Sequence, residues 1–445
     1  MGKTRKRVVI VGGGFAGLTL AKALRRVPVD VTLVDRENHH LFQPLLYQVA
    51  LAGLSPAEIA TPIRSALDSQ DNAHVILGEA VMADLKAKVL SLADGETIRF
   101  DYLVIAAGAT TSYFGNDGWS QYSLGMKSID DAIAVRRHVL LALEAAERET
   151  DPAVQDKLLT FAIIGGGPTG VEVAGTLAEL SRSILARDFR NIRNKVPRIV
   201  LVEMGERVLP SFSRRLSKKA GESLTNMGVT LRLGHRVTNI DDRGVELDGN
   251  DLISTSTVIW AAGVKPAPLA SNLDVPVDKQ GRIVVTSDCS IENYPHVFAI
   301  GDIAHTKDAE GKALPGLAPV AMQAARAVKA NIVRDLARQD RKPFHYFDKG
   351  MMATIGRSRA VVQYGRARVS GFIAWMMWLF VHIWYLIGFR NRVAVMLEWA
   401  WLYLTFRRGA RLITGLPPNA LKETPAHLVQ SHADHTSRDR PKNEA

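Results

Sequence analysis

One short pattern occurs twice in this chain and restricts what it can fold into. Val8–Leu20 reads VVIVGGGFAGLTL and Phe161–Ala174 reads FAIIGGGPTGVEVA. Each copy is an apolar strand, a glycine triplet, a fourth glycine three positions on, and then helical spacing. In Gly12-x-Gly14-x-x-Gly17 the first glycine permits a tight turn and the second lets the backbone approach a pyrophosphate. The third lets helix and strand pack closely, and the helix N-terminus supplies amide donors. Gly165-x-Gly167-x-x-Gly170 repeats that logic. Each copy is later joined by a second apolar strand ending in Ala-Ala-Gly, at Tyr102–Gly108 and Val258–Gly263. Two such units imply two doubly wound α/β modules.

An acid closes the second strand of each unit. Asp35 stands behind Val31–Val34, at the usual distance beyond the glycine turn, and suits a ribose diol. Glu203 ends Ile199–Val202, farther from its turn than usual, the excess being the basic insertion Ser181–Lys195. A carboxylate there favours NADH over NADPH, whose 2′-phosphate it would repel; Arg207 nearby works the other way. Two dinucleotide folds suggest a resident FAD and a transient nicotinamide.

The expected fold is α/β: two Rossmann-like modules, the second inserted in the first, with a C-terminal helical membrane-associating segment. Residues 1–125 and 271–340 form the first module, where strand Val297–Ile300 and Gly301-Asp302 return to it. Residues 126–270 hold a linker helix over Asp130–Glu149 and the inserted module. A basic, Trp-rich region spans 341–415, and 416–445 reads as a disordered tail.

The 445 residues suffice for about two to three domains. A single cysteine, Cys289, excludes a disulfide framework, a CxxC redox pair and a cysteine-held iron–sulfur cluster, so the electron acceptor is external. Cys289 reads as a small buried residue. No metal site is expected. The basic leader Met1–Arg7 shows no secretory signal pattern and reads as a solvated arm.

The net charge of +11 is concentrated late: residues 341–411 hold 12 Lys/Arg against Asp348 and Glu398. Five of the seven tryptophans (375, 378, 384, 399 and 401) lie in the same stretch. Gly371–Phe389 is 19 residues without formal charge, long enough for a transmembrane candidate. Arg366 and Arg368 before it and Arg390 and Arg392 after it argue against crossing. A second aromatic run, Val393–Phe406, precedes Arg407, Arg408 and Arg411. Interleaved aromatics and arginines suit helices lying among anionic headgroups. A core or dimer-interface role ranks second, a true span third, and nucleic-acid binding last, since no recognition motif accompanies the charge.

With these motifs the chain resembles the two-dinucleotide-binding-domain flavoproteins and, more closely, the type II NADH:quinone oxidoreductases. His40–Ala50 (HLFQPLLYQVA) is similar to their HxFxPLLYxVA segment, GGGPTGVE to their nicotinamide motif, and Trp260–Lys265 to their second nucleotide-site strand end. The resemblance covers roughly residues 8–411. It implies FAD contacts at Gly12, Gly14, Phe15, Ala16, Gly17, Asp35, Arg36, Pro44, Leu45, Val81, Ala107, Gly108, Gly301 and Asp302. For NADH it implies Gly165, Gly167, Pro168, Thr169, Gly170, Glu203, Ala262 and Gly263. The quinone-site signature AQxAxQ is met in part by Ala318–Gln323, with Pro319 in place of the first glutamine. Proline suits a first helical turn. Pro44, Leu45, Ala318 and Gln323 are then the quinone-site residues, and Glu172 and Gln323 the catalytic candidates. An ordinary helix residue remains the alternative for Gln323, and a first-turn carboxylate at the positive helix end the alternative for Glu172.

The resulting expectation is a membrane-bound, FAD-dependent NADH:quinone oxidoreductase that pumps no protons. It is commonly dimeric in its family, and the cytoplasmic face of a bacterial inner membrane is its expected place. The runner-up is a soluble NAD(P)H-dependent flavoprotein reductase serving a protein such as ferredoxin. A third reading is a redox sensor that binds NADH without turnover.

Overall fold

A computed structural model describes residues 5–405 and 410–414. The tail expected over 416–445, Phe406 at the end of the second aromatic run, and Arg407 and Arg408 after it lie outside the described residues. In chain order the helices include α1 (Phe15–Ala23), α2 (Ile129–Arg148), α3 (Pro168–Asp188), α4 (Ala318–Leu336), α5 (Phe372–Tyr385) and α6 (Phe389–Thr405). The chain divides into two compact units. One comprises residues 1–41, 60–110 and 264–349, the other 42–59, 111–263 and 350–445.

In the first unit, strand Lys6–Val11 sits centrally in a six-stranded sheet, between Val29–Asp35 and Tyr102–Ile105, and parallel to both. Its last four residues are buried on both faces, which is why they read as an unbroken apolar run. Tyr294–Ala299 returns late in the chain to pair parallel with Tyr102–Ile105. This parallel arrangement brings Gly12, Asp35, Ala106 and Ile300 to the same carboxyl edge, where ligands of open α/β sheets bind.

The second unit repeats the design with four strands. Thr160–Ile164 is flanked in parallel by Arg198–Glu203 and Thr257–Trp260. Its carboxyl edge therefore carries Gly165, Glu203 and Ala261. Helix α2 opens with a reciprocal capping box: the Ser128 hydroxyl accepts from the Asp131 amide, and the Asp131 carboxylate accepts from the Ser128 amide. The basic insertion proves to be a lengthening of α3 to 21 residues plus the loop beyond it.

The C-terminal region departs from the helical expectation at its start. Met351–Gly356, Arg359–Tyr364 and Ala367–Gly371 form an antiparallel three-stranded sheet. A short run with paired valines and a tyrosine, such as Arg-Ala-Val-Val-Gln-Tyr between glycine-bearing turns, favours a strand over a helix. Gly175 of α3 explains its docking: a Cβ there would collide with the Ile355 carbonyl.

The 19-residue apolar run is also broken. Helix α5 stops at Tyr385 after 14 residues, about 21 Å against a hydrocarbon core of about 30 Å. Leu386 is extended and Gly388 takes φ +89° before α6 begins. Among the described residues no helix is long and apolar enough to cross a membrane. Ala374, Trp378 and His382 form the buried stripe of α5, while Phe372, Ile373, Met376, Phe380 and Trp384 form an exposed one. Met396, Leu397 and Trp401 extend the exposed apolar surface on α6.

Candidate functional site

The first glycine turn is shaped by close approach. Gly12 has φ +103°, and a Cβ there would strike the backbone of Ala106 and Ala107. A Cβ on Gly17 would strike the Gly12 carbonyl, so α1 packs hard against its own turn. Gly14, the N-cap of α1, has open space where a side chain would be. Helix α1 has no side-chain cap and no acid in its first turn, which leaves its amide end available to an anion. The Asp35 carboxylate accepts from the Gly13 and Glu37 amides.

Phe15 meets His40 edge to face, with ring centroids 5.2 Å apart. His40 is buried, and its Nδ1 lies 2.9 Å from the Gly13 carbonyl. Its Nε2 has no partner among the described residues. Burial lowers the His40 pKa, so the ring is neutral. Gly301 (φ +78°) turns between Ala16 and Ala321, whose Cβ atoms lie 3.5 and 3.7 Å from where its own would be. Asp302, half-buried, makes no side-chain hydrogen bond or ion pair among the described residues. An orphaned imidazole nitrogen, a free carboxylate and an open amide nest all fit a dinucleotide rich in hydroxyl and phosphate oxygens. Ala107 and Gly108 continue from the same edge, Gly108 with φ +69°. Arg36 is exposed beside Glu37. Val81 lies on strand Ala80–Asp84, its carbonyl accepting from Asn272 at 2.9 Å.

Within this unit α4 begins at Ala318, with Pro319 in its first turn as expected. The Gln323 amide is engaged: Nε2 donates to the Phe347 carbonyl at 2.9 Å and Oε1 accepts from the Phe347 amide at 3.0 Å. One N–H and one lone pair remain for any ligand. Cys289 is fully buried, and its thiol is pushed up to about 12, so it offers no nucleophile.

The second unit repeats the first at its turn. Gly165 has φ +110° and faces the backbone of Ala261 and Ala262; Gly170 abuts the Gly165 carbonyl; Gly167 is open. Glu203 accepts from the Gly166 amide at 2.6 Å and from the Gly205 amide at 2.8 Å. Arg207 donates to the carbonyls of Pro210 and Phe212, so its guanidinium is spent within its own loop. Pro168 and Thr169 open α3. Gly263 lies against the Phe114 ring, and Ser112 brackets the strand end, accepting from the Trp260 indole at 2.9 Å and donating its amide to Gly263.

Glu172 corrects the simplest expectation. Helix α3 starts at Pro168, so Glu172 is its fifth residue and no acid lies in the first turn. Although part of the residue reaches the surface, desolvation dominates and lifts its pKa to about 8, against the opposing pull of the Thr354 amide. A first-turn carboxylate would be lowered by the dipole instead.

Pro44 and Leu45 form a 3-10 turn leading into helix Leu46–Ala50. Two contacts here escape sequence reasoning. Phe42 meets His382 of α5 edge to face at 6.1 Å. The Trp399 indole donates to Gln48 Oε1 at 2.7 Å, and Gln48 Nε2 donates to the Tyr47 hydroxyl at 2.9 Å. Nothing in the spacing of residues so far apart announces such a chain.

The fold and its paired glycine turns define an oxidoreductase with two dinucleotide cradles. The family model of the pyridine nucleotide-disulphide oxidoreductases matches residues 6–325. The chain is 44% identical to the type II NADH:quinone oxidoreductase Ndh of Mycobacterium tuberculosis, over 92% of this chain and 90% of that one. It is 30% identical to the type II NADH:quinone oxidoreductase of Staphylococcus aureus, over 80% and 89%. Its fold matches a structure of NDH2 from Plasmodium falciparum in complex with NADH, with TM-score 0.84 and 20% identity, covering 92% of this chain and all of that one. The chain belongs to the type II NADH:quinone oxidoreductases, within the pyridine nucleotide-disulphide oxidoreductase family. It is an NADH:quinone oxidoreductase.

Proposed function

We propose that the enzyme works on a membrane surface with a resident FAD, accepting a hydride from NADH and delivering two electrons to a membrane quinone without proton pumping. The observation that carries this reading is the pair of glycine turns, each with its second amide held by a strand-end carboxylate. FAD, when bound, supplies the two-electron centre that links hydride to quinone chemistry. The chain's own residues supply the rest. The N-terminus of α1 takes the pyrophosphate, Asp35 the ribose, and His40 Nε2 and Asp302, both acceptors, take hydrogen bonds from the remaining hydroxyls. Gly108, Pro44, Leu45 and Val81 complete the flavin contacts.

In the second unit the N-terminus of α3 takes the NADH pyrophosphate, and Glu203 accepts from the ribose diol. With Arg207 spent on its own loop, Glu203 disfavours a 2′-phosphate. Desolvation raises the Glu172 pKa to about 8, which favours the protonated carboxyl at neutral pH, and in this reading that carboxyl holds a proton for the reaction. In the first unit Ala318 and the free half of the Gln323 amide are offered to the quinone.

The exposed aromatic stripes of α5 and α6, flanked by Arg366, Arg368, Arg390 and Arg392, support a monotopic anchor among anionic headgroups. A homodimer would use the same helices. Helix α5 carries no formal charge, so no relay of charged groups runs through it. The proposed location is the cytoplasmic face of a bacterial inner membrane.

The test is steady-state NADH oxidation by the FAD-loaded protein in detergent, with a short-chain ubiquinone or menaquinone as sole acceptor and NADPH in parallel. NADH-selective quinol formation, together with flotation on phosphatidylglycerol vesicles, supports the proposal. Equal use of NADPH overturns the role of Glu203, and failure to float overturns the anchor.

A further inference from the structure

The C-terminal ends of α1 and α4 enclose a cleft of about 730 Å³ that the redox chemistry leaves unused. This volume falls within the range of small-molecule sites, about 300–1,000 Å³. Its rim carries four cations: Lys22 on α1, Arg25 and Arg26 in the turn after it, and Lys329 on α4. Val27, Pro28, Val333 and Leu336 add apolar lining. None of the four cationic side chains makes a hydrogen bond or ion pair among the described residues. The nearby acid Asp30 is taken by Arg5. Burial lowers the Lys22 pKa, as expected of an ammonium partly withdrawn from water with no counter-charge.

Basic residues at a helix C-terminus often serve only to neutralise its carbonyls. Here that work is done from the other side. Gln70 donates to the Ala21 carbonyl at 2.9 Å, and the Asn72 amide reaches the carbonyls of Leu24, Val27 and Val29 at 3.2, 3.2 and 3.0 Å. Those two buried amides satisfy the end of α1 and fix the turn carrying Arg25 and Arg26. Lys329, two turns before the end of α4, is too far back to cap that helix. The four cations thus line one cleft beside apolar side chains, with no hydrogen-bond or ion-pair partner of their own among the described residues.

We propose that this cleft binds a phosphate-bearing molecule with a flat or apolar body, the phosphate on the four cations and the body on Val27, Pro28, Val333 and Leu336. A soluble nucleotide and a phospholipid headgroup with its ester region both present this chemistry. The test uses the FAD-loaded full chain with NAD+ saturating, so that the dinucleotide cradles are filled. ADP is titrated by calorimetry, and sedimentation is measured with phosphatidylcholine vesicles with and without phosphatidylglycerol.

The charge-reversed pair R26E/K329E is compared with K86E/R99E, which has the same net charge but lies on exposed strand and turn positions elsewhere. Weakening of ADP binding by about tenfold in R26E/K329E alone, with NADH oxidation unchanged, identifies a soluble phosphate ligand. No ADP binding in any form, with the phosphatidylglycerol-dependent part of vesicle affinity weakened in R26E/K329E alone while the α5 and α6 anchor still carries the protein onto vesicles, identifies a lipid. The neutral pair R26A/K329A must show the same order, which guards against misfolding of the reversed one. If R26E/K329E and K86E/R99E behave alike in both assays, the site does not exist.

Discussion

The two glycine turns of this enzyme are nearly identical in their hydrogen bonding and differ in the helices they open. In each, the carboxylate ending the second strand accepts from the middle glycine and from the amide two positions beyond itself: Asp35 with Gly13 and Glu37, Glu203 with Gly166 and Gly205. Under the proposed function, the matching cradles take what FAD and NADH have in common. The first turn leads into a nine-residue helix and a buried histidine with a spare nitrogen. The second leads into a 21-residue helix whose second turn carries Glu172, its pKa raised by desolvation to about 8. The shared part sets the class of ligand, and the helix beyond it separates a cofactor that stays from a substrate that reacts and leaves.

The sharpest test exchanges a hydrogen for a methyl at corresponding positions. Gly17→Ala and Gly170→Ala each push a Cβ into the first glycine's carbonyl, an overpacking that costs about 3 kcal/mol. Gly17→Ala should purify without FAD, read from its visible absorbance. Gly170→Ala should keep FAD and bind NADH at least about a hundredfold more weakly. The reverse pattern would exchange the roles of the two units.

Next in size is Glu172→Gln, expected to slow quinone turnover by about tenfold to a hundredfold, the lower part of the range for a positioned acid. A pH signature accompanies it. The folded pKa of about 8 lies above the ordinary 4.5, so the folded chain holds an extra proton between those values. The native state is therefore penalised progressively as pH rises from 4.5 to 8, and fully above that. The melting temperature of Glu172→Gln should match wild type at acid pH and exceed it increasingly toward pH 8. A constant difference across that window would show that the fold holds no extra proton at Glu172.

What can be read from the sequence depends on range along the chain. The glycine turns, their acids and the capped α2 declare themselves because every residue needed lies within one strand–turn–helix phrase. The partners that set their chemistry do not. Thr354 faces Glu172 from a strand of the C-terminal sheet, and Trp399 reaches Gln48 from the last described helix. His40 reads as part of a motif; only the fold leaves its Nε2 without a partner. The apolar run 371–389 is plain as a hydrophobic stretch, but its break at Leu386–Gly388 depends on how α5 packs, with Trp378 and His382 turned inward. Gln323 reads as a free amide because nothing about Phe347, well beyond the end of α4, signals that its backbone will pair with it.

A smaller effect is expected at Glu203→Gln, which keeps the acceptor oxygen and removes the charge. NADPH oxidation should rise about tenfold relative to NADH, the equivalent of about 1.4 kcal/mol of relieved repulsion. The corresponding Asp35→Asn should leave the NADH-to-NADPH ratio untouched. A shift in both would mean that the two carboxylates do not divide the ligands between them.

The smallest effect probes a further asymmetry, since only the second unit carries the C-terminal sheet and helices. Trp399→Phe keeps an aromatic ring against Trp378, 5.5 Å away, but removes the indole N–H that holds Gln48. Losing one such bond should cost about 1 kcal/mol, seen as a modest fall in melting temperature. Gln48 in turn donates to the buried Tyr47, two positions beyond Leu45, so the slackened segment lies on the quinone side of the proposal. The Michaelis constant for quinone should therefore rise while that for NADH stays put, because Glu203 and the Gly165–Gly170 turn are untouched. Were both constants to move together, Trp399 would support the second cradle as a whole, and the C-terminal helices would belong to nucleotide binding as much as to quinone access.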